Sequence, residues 1–359
     1  MCLLLYVSGH GLGHATREIA VLQALPADVP LVVKTLSPAW HWRNELPNRD
    51  LVIVPFAADV GTVQHDSLSS NAPATLTAWR ERDAANKSAF AGECADALAR
   101  GCRLVVSDVP SFGISVARTI GVPSVCVANF TWADIYRELA AQEPGLAPVA
   151  ETLAAEYAGA DLLLEAGLAL PMGYFPRRES VGIIARTGVD RRDALLAALP
   201  APARGKRVAL VYAGDWGLPV PWERLTHFDE WHFVSLGSPA GALPPNWTVV
   251  GRDLMAHPDL VASADLVVSK VGYGIAGECL TGGTPLLFCP RTGFAEYPVI
   301  AEYLARSGRG VLLFAEAFAS ADWGEALDAV PERGTLAREI APGAGRAAAR
   351  IREMYGAAV

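Results

Sequence analysis

The chain has 359 residues, of which 52% are hydrophobic and 19% charged. This length is typical of two domains, and so apolar a composition excludes general disorder. The formal net charge of −8 argues against a protein that binds nucleic acid by neutralising phosphates, although a small anionic ligand needs only a local site.

The N-terminal residues 2–7 form a short apolar run with no basic lead, which predicts a buried strand and not a signal peptide. No uncharged apolar run reaches the roughly 18 residues of a membrane helix, so we expect a cytoplasmic protein without an integral membrane segment. The six cysteines include no CxxC pair and no histidine at metal spacing. We therefore expect reduced, mostly buried thiols and no metal site.

Short apolar runs alternate with amphipathic segments through the first half of the chain, a pattern that predicts parallel strands with helices on both faces. The predicted strands are 2–7, 31–34, 51–54, 104–106, 124–128 and 162–164. The predicted helices are 15–25, 72–100 and 112–120.

The pattern stops at 169–192, which contains several prolines and glycines and is predicted to be irregular. It restarts with strands at 207–212, 232–236, 248–250, 266–269, 285–289 and 310–313, and helices at 258–264, 276–281, 298–307 and 344–355. The predicted fold class is α/β, with two Rossmann-like domains that face a cleft. We place the domains at 1–190 and 207–340, and the linker at 191–206.

A turn rich in glycine and histidine, GHGLGHATR, joins the first predicted strand to the first predicted helix. Its glycines permit a sharp turn, and the helix N-terminus offers unpaired N–H groups. Histidine titrates near neutral pH, so His14 or the rival His10 can act as a base toward an acceptor. The alternative is a tight turn with surface histidines. We assign three further residues to this acceptor-side loop: Gly11, Gly13 and Arg17.

Asp108 follows a predicted strand at its carboxyl end, where open α/β sheets bind their ligands. A carboxylate there can orient an imidazole from the first loop and stabilise its protonated form. The alternative, which is compatible with that role, is an N-cap for the helix at 112–120.

A second glycine turn, SKVGYGIAGE, begins where the strand at 266–269 ends. Its Gly272, Tyr273 and Gly274 bring backbone N–H groups close to a diphosphate, and Lys270 adds a cation. Glu278 lies one to two turns into the next helix and can accept two hydrogen bonds from a ribose diol. The alternative is a packed turn with an exposed glutamate. The Gly-Lys-Ser/Thr ending of a Walker loop is absent.

This turn and its continuation resemble the donor half of two-domain nucleotide-sugar glycosyltransferases, including the lipid II-forming enzyme and the small-molecule glucosyltransferases. The resemblance implies that Gly272 holds a diphosphate, Glu278 a ribose and Glu296 the sugar. Where that family has an Asp-Gln or Gln-Gln pair, this chain has Glu296-Tyr297, so the resemblance does not identify the sugar. Two residues after the strand at 207–212 complete the predicted donor site: Gly214 and Asp215.

A closer resemblance is to the glycosyltransferase-like N-terminal region of plant-type L-arabinokinases and its stand-alone bacterial relatives. The similar segments occur in the same order and are SGHGLGHATR, VSDVP, VCVANFTW and SKVGYG. The kinase half is not part of the resemblance, so kinase activity is not implied. In the small-molecule glucosyltransferases, the position of His14 holds the histidine that takes the acceptor proton, and the position of Asp108 holds its orienting carboxylate.

These resemblances imply a fold of the glycosyltransferase B type. Residues 1–190 would bind the acceptor, 207–340 a nucleoside diphosphate sugar, and 341–359 would pack back toward the N-terminal domain. The expected reaction is inverting transfer from a UDP-sugar, which is the substrate, and no cofactor is expected. We expect no metal ion either, since no Asp-X-Asp pair occurs. The alternatives are a sugar-nucleotide epimerase or hydrolase, and a non-catalytic sugar-nucleotide-binding protein.

Overall fold

The computed structural model describes residues 1–66, 68–212 and 220–358. Within them, strands and helices alternate to form two parallel sheets, each with helices on its faces. The prediction of two Rossmann-like α/β domains is confirmed.

The N-terminal domain is built on one parallel sheet. Its strands are β1 (Cys2–Val7), β2 (Leu31–Thr35), β3 (Leu51–Pro55), β4 (Cys102–Asp108), β5 (Ser124–Ala128), β6 (Leu162–Ala166) and β7 (Arg178–Gly182), in the order β3-β2-β1-β4-β5-β6-β7. Its helices are α1 (Gly13–Ala24), α2 (Ala39–Glu45), α3 (Ala72–Ala99), α4 (Ser111–Ile120), α5 (Trp132–Leu139) and α6 (Leu146–Tyr157). The central strands are continuous apolar runs because helices cover both of their faces.

The C-terminal domain repeats this plan with β8 (Arg207–Val211), β9 (Trp231–Ser235), β10 (Trp247–Val249), β11 (Leu266–Lys270), β12 (Leu286–Cys289) and β13 (Gly310–Leu312). The strand order is β10-β9-β8-β11-β12-β13. The helices are α7 (Arg192–Ala198), α8 (His257–Ser263), α9 (Tyr273–Gly282), α10 (Tyr297–Arg306), α11 (Ala315–Ser320) and α12 (Gly324–Asp328), with 3₁₀ turns at Ala201–Ala203 and Trp222–His227. The last helix of the chain, α13 (Gly343–Ala357), lies against the N-terminal domain.

The two domains touch through their helices. Helix α1 of the N-terminal domain packs against α9 of the C-terminal domain, and α13 packs against α1, β4 and β7. The segment 183–206 joins the sheets and contains α7. In the described ranges no helix combines the length and the apolar character needed to cross a membrane.

The prediction for residues 169–192 is wrong in part. Residues 169–192 were expected to be irregular, but Arg178–Gly182 forms β7 at the edge of the first sheet. Its first three residues are exposed and polar, because an edge strand pairs on one side and can leave its side chains in water. Apolar runs therefore do not mark this strand.

The strand order reverses between β1 and β4 in one sheet and between β8 and β11 in the other. Open parallel sheets form a crevice at the carboxyl ends of the strands at such a reversal. The two predicted glycine turns follow β1 and β11, and Asp108 is the last residue of β4.

Candidate active site

A cleft of about 1090 Å³ separates the two domains and is lined by residues of both. Helices α1 and α9 both begin at this cleft, and an ideal Cβ built on Gly274 would lie 4.0 Å from the Cα of Gly13. The N-termini of the two helices therefore converge. Their unpaired N–H groups and positive dipole ends favour an anionic ligand between them.

His14 and Asp108 meet in this cleft, although 94 positions separate them in the sequence. The Nδ1 atom of His14 lies 2.8 Å from Oδ1 of Asp108, and both side chains are buried. An ionised carboxylate only accepts hydrogen bonds, so the imidazole proton sits on Nδ1. The basic lone pair is then on Nε2, on the side of the ring away from Asp108.

Arg17 holds the same carboxylate from one turn further along α1. Its Nε donates to Oδ2 of Asp108 at 2.7 Å and its Nη2 to Oδ1 at 2.5 Å. Burial by itself would raise the pKa of Asp108, but the charge of Arg17 and the hydrogen bonds from Arg17 and His14 lower it below its usual range. Asp108 is therefore a fixed anion that orients the imidazole.

A hydrogen-bonded chain continues from Arg17 across the domain boundary. Arg17 Nη1 donates to Oδ1 of Asn129 at 2.5 Å, and Asn129 Nδ2 donates to Oε2 of Glu296 at 3.1 Å. The guanidinium also lies 5.3 Å from the ring centre of Tyr273 in the second glycine turn. The helix that bears His14 and the predicted sugar-contacting glutamate thus belong to one buried network.

His10, the rival base, is held in a different way. Gln64 Nε2 lies 3.2 Å from its Nε2 and donates to it, and the ring packs on Gly61, where a Cβ would come within 2.4 Å. Burial, with the nearby His14, Arg291 and Lys270, lowers the pKa of His10 to about 3. His10 is therefore neutral, and its acceptor nitrogen is already used.

The predicted ribose ligand, Glu278, is 3% exposed and carries three hydrogen bonds. Arg186 donates to its Oε1 from Nε at 2.9 Å and from Nη2 at 2.5 Å, while His257 Nδ1 lies 2.7 Å from Oε2. Burial raises the pKa of Glu278, but His257 and Arg186 outweigh it and lower the pKa. Arg186 also donates to Glu45 Oε1 at 2.7 Å and so connects both domains.

The second glycine turn begins α9 at the cleft. Gly272 is its N-cap, and the N–H of Ile184 donates to the Tyr273 hydroxyl at 2.9 Å, which ties the turn to the segment after β7. Burial raises the pKa of Tyr273 to about 12, so its hydroxyl stays protonated. Lys270 ends β11 and lines the cleft beside the turn.

Two predicted donor residues, Gly214 and Asp215, lie outside the described residues. Within the described ranges, no group of three histidine, cysteine or acidic residues could hold a metal ion. All six cysteines are buried and unpaired.

The sequence interpretation did not single out several residues of the site. Asn129 follows β5 at its carboxyl end, so the strand-end rule could have found it. Arg186 lies between the sheets and His257 begins α8, and neither stands in a pattern that marks a site. Asp59, which accepts from Trp132 Nε1 at 2.6 Å and from Ser8 Oγ at 3.0 Å, lies in a loop without any such signal.

No protein-family model matches the chain. An L-arabinokinase of Arabidopsis thaliana is 29% identical over 312 residues, which cover 83% of this chain and 29% of that protein. The chain therefore spans less than a third of the length of this relative.

Solved structures resemble the chain over nearly its whole length. A Polygonum tinctorium UDP-glucosyltransferase capable of glucosylating indoxyl has a TM-score of 0.62 at 16% identity, covering 99% of this chain and 94% of that one. Phytolacca americana UGT2 complexed with UDP-2fluoro-glucose and pterostilbene has a TM-score of 0.60 at 14% identity, covering 100% and 95%. The glycosyltransferase VinC in complex with dTDP has a TM-score of 0.58 at 17% identity, covering 99% and 96%.

Proposed function

We propose that this chain, which has the glycosyltransferase B fold common to those structures, transfers a sugar from a nucleoside diphosphate sugar to an acceptor nucleophile. The hydrogen bond between His14 and Asp108 in the interdomain cleft is the observation that carries the proposal. A base held in a single tautomer by a buried anion is of use to a transferase. A protein that only binds sugar nucleotides has no need of it.

In the proposed reaction, an acceptor hydroxyl in the N-terminal domain attacks the anomeric carbon of the sugar. Its proton passes to Nε2 of His14 as the new bond forms, and the bond from the anomeric carbon to the diphosphate oxygen breaks. Attack from the face opposite the diphosphate inverts the anomeric configuration. Asp108 keeps the imidazole oriented and balances the charge of the imidazolium.

The C-terminal domain would hold the donor. The N-terminus of α9 at Gly272 and the cation of Lys270 are placed to balance the charge that grows on the departing diphosphate. We propose on this basis that departure needs no metal ion. The similar structures that act on or bind UDP-sugars support the further proposal that the nucleotide is uridine-based. Glu296, held by Asn129, would face the sugar.

We further propose that the linker at 191–206 permits a hinge motion of the two domains that closes the cleft. Closure would exclude water from the donor and so limit its hydrolysis. Arg17 and Arg186 each contact residues of both domains, and these contacts would stabilise the closed arrangement.

A thermal-shift screen tests donor binding directly. UDP, dTDP and a panel of UDP-sugars should raise the melting temperature, because a ligand at 100 times its dissociation constant adds about 2.7 kcal/mol of stability. Glu278→Ala serves as the matched variant and should show a smaller shift with the same ligands. A panel in which no nucleoside diphosphate shifts the transition would contradict the proposal.

A further inference from the structure

Glu278 accepts all three of its hydrogen bonds from donors that hold it firmly. Two come from the Arg186 guanidinium and end on Oε1, and the third comes from His257 Nδ1 and ends on Oε2. A carboxylate offers about four lone-pair sites, two on each oxygen. Both sites on Oε1 are therefore taken, and a single site on Oε2 is left for a ligand.

Two ribose hydroxyls cannot both donate to one remaining site. We propose that Glu278 recognises one ribose hydroxyl of the donor nucleotide, and that Arg186 determines this specificity by withholding Oε1 from the second. This inference rests on the proposed function, since it takes the cleft to be a nucleotide site. It makes Arg186 a positioning residue that acts through Glu278.

Arg186 is not free to swing aside for a second hydroxyl. Its side chain is 7% exposed, and Nη1 donates to Glu45 Oε1 at 2.7 Å on the N-terminal side of the cleft. Its own carbonyl accepts from Thr281 Oγ1 at 3.1 Å, which fixes the backbone against α9. Removing a buried guanidinium from its carboxylate leaves two poorly compensated charges, so a neutral hydroxyl is a weak competitor.

The consequence is an unequal response to loss of the two hydroxyls. One of the two analogues, 2′-deoxy-UDP or 3′-deoxy-UDP, should bind nearly as well as UDP, because the hydroxyl it lacks has no site on Glu278. The other analogue should bind at least about tenfold more weakly, the scale of one hydrogen bond to a charged acceptor.

Calorimetric titration of the unmodified protein with UDP and both deoxy analogues tests the inference. We expect one analogue within about threefold of UDP and the other weaker by about tenfold or more. Comparable losses for both analogues would overturn the inference while leaving the proposed function intact, and so would the absence of any loss. Failure of UDP itself to bind would instead overturn the proposed function, and the inference with it.

A variant identifies Arg186 as the cause. In Arg186→Gln, Oε1 regains a free site, so the analogue that matched UDP should now bind about tenfold more weakly than UDP. Glu45→Gln is the control, because it removes the other carboxylate partner of Arg186 and leaves the Arg186–Glu278 pair. In this control the ratios between the affinities for UDP and for the two analogues should equal those of the unmodified protein. An unchanged ratio in folded Arg186→Gln would contradict the assignment. If this variant does not fold, the analogue titration of the unmodified protein still decides.

Discussion

The two histidines of the first glycine turn differ in their hydrogen-bond partners. His14 turns Nδ1 toward a buried anion, whereas His10 accepts from Gln64 beside Lys270 and Arg291. Chain position alone leaves the two equivalent, since both follow glycines in the same turn. The hydrogen-bond partners separate them.

His10→Asn should therefore change kcat/KM by less than about tenfold, because a general base contributes about 10²–10⁴-fold and His10 is not available as one. Asparagine keeps a polar side chain beside Gln64. The measurement is steady-state turnover of a UDP-sugar with the variant and the unmodified protein side by side. A loss of several hundredfold in His10→Asn would reverse the assignment of the base.

Asp108 pairs with a buried arginine, so its removal should cost stability. Asp108→Asn leaves Arg17 without its anion, and breaking a buried pair typically costs about 3–5 kcal/mol. Since the folded pKa of Asp108 lies below the unfolded value of about 3.9, this stabilisation is complete above that pH and is lost as the pH falls through the folded pKa.

Urea unfolding of Asp108→Asn from neutral to acid pH measures this effect. The difference in the free energy of unfolding between Asp108→Asn and the unmodified protein should become smaller in acid. The control is Asp83→Asn, which removes the partner of an exposed lysine and should change stability little at any pH. A difference in the free energy of unfolding that does not depend on pH would show that Asp108 is not held as an anion.

Glu18, the residue after Arg17, has a raised pKa, in contrast to the lowered pKa of Asp108. It is fully buried, and burial together with the negative charge of Asp108 raises its pKa well above the usual value. The folded protein keeps a proton that the unfolded chain releases above about pH 4.3, so stability falls as the pH rises past that value.

Glu18→Gln, which mimics the protonated acid, should be more stable than the unmodified protein at neutral pH. The stability difference between Glu18→Gln and the unmodified protein should fall toward zero below about pH 4. Thermal unfolding across this pH range is the measurement, with Glu81→Gln on the exposed side of α3 as the control. A destabilised Glu18→Gln at neutral pH would mean that Glu18 is ionised.

At the scale of elements, the strands with continuous apolar runs follow from the sequence. The predicted strand 124–128 is β5, and the predicted helix 72–100 is α3, which Asn71 caps by accepting from the N–H of Ala74. The polar edge strand β7 could not be found this way, because its Arg178-Glu179-Ser180 lacks an apolar face. Helix α2 has only seven residues, too few for a periodic pattern to emerge.

Some residues of the candidate site could likewise be predicted from the sequence, and others could not. His14, Asp108 and Glu278 follow from the rule that ligands gather at strand ends and helix starts in open sheets. The partners Arg186 and His257 do not, because their contact with Glu278 joins segments 92 and 21 positions away. Only tertiary packing brings these side chains together.

The N-terminus of α9 offers a test of the diphosphate site. An ideal Cβ at Gly272 would meet no described atom within 4 Å, and its φ of −148° suits any residue. Folding alone therefore does not require glycine here, but close approach of a diphosphate would.

Gly272→Ala should keep its melting temperature within a few degrees and bind UDP at least about tenfold more weakly, through loss of close N–H contacts. Gly92→Ala in α3, where a Cβ also meets no described atom within 4 Å, should bind UDP like the unmodified protein. Calorimetry compares the three proteins. Equal UDP affinities would remove the α9 turn from the donor site.

At the scale of the whole molecule, the two domains meet through buried and half-buried polar chains and not only through apolar packing. One chain runs from Asp108 through Arg17 and Asn129 to Glu296, and another from Glu45 through Arg186 to Glu278. Each places a residue of the proposed donor site in contact with the N-terminal domain. We therefore expect the proposed domain closure and the assembly of the site to be coupled.

His14 is the proposed base of a sugar transfer in this cleft. The direct measurement is release of UDP from UDP-sugars with a panel of hydroxyl acceptors, for the unmodified protein and for His14→Ala. We expect turnover to fall about 10²–10⁴-fold in His14→Ala while the calorimetric affinity for UDP is unchanged. Equal turnover in the two proteins would contradict the proposal.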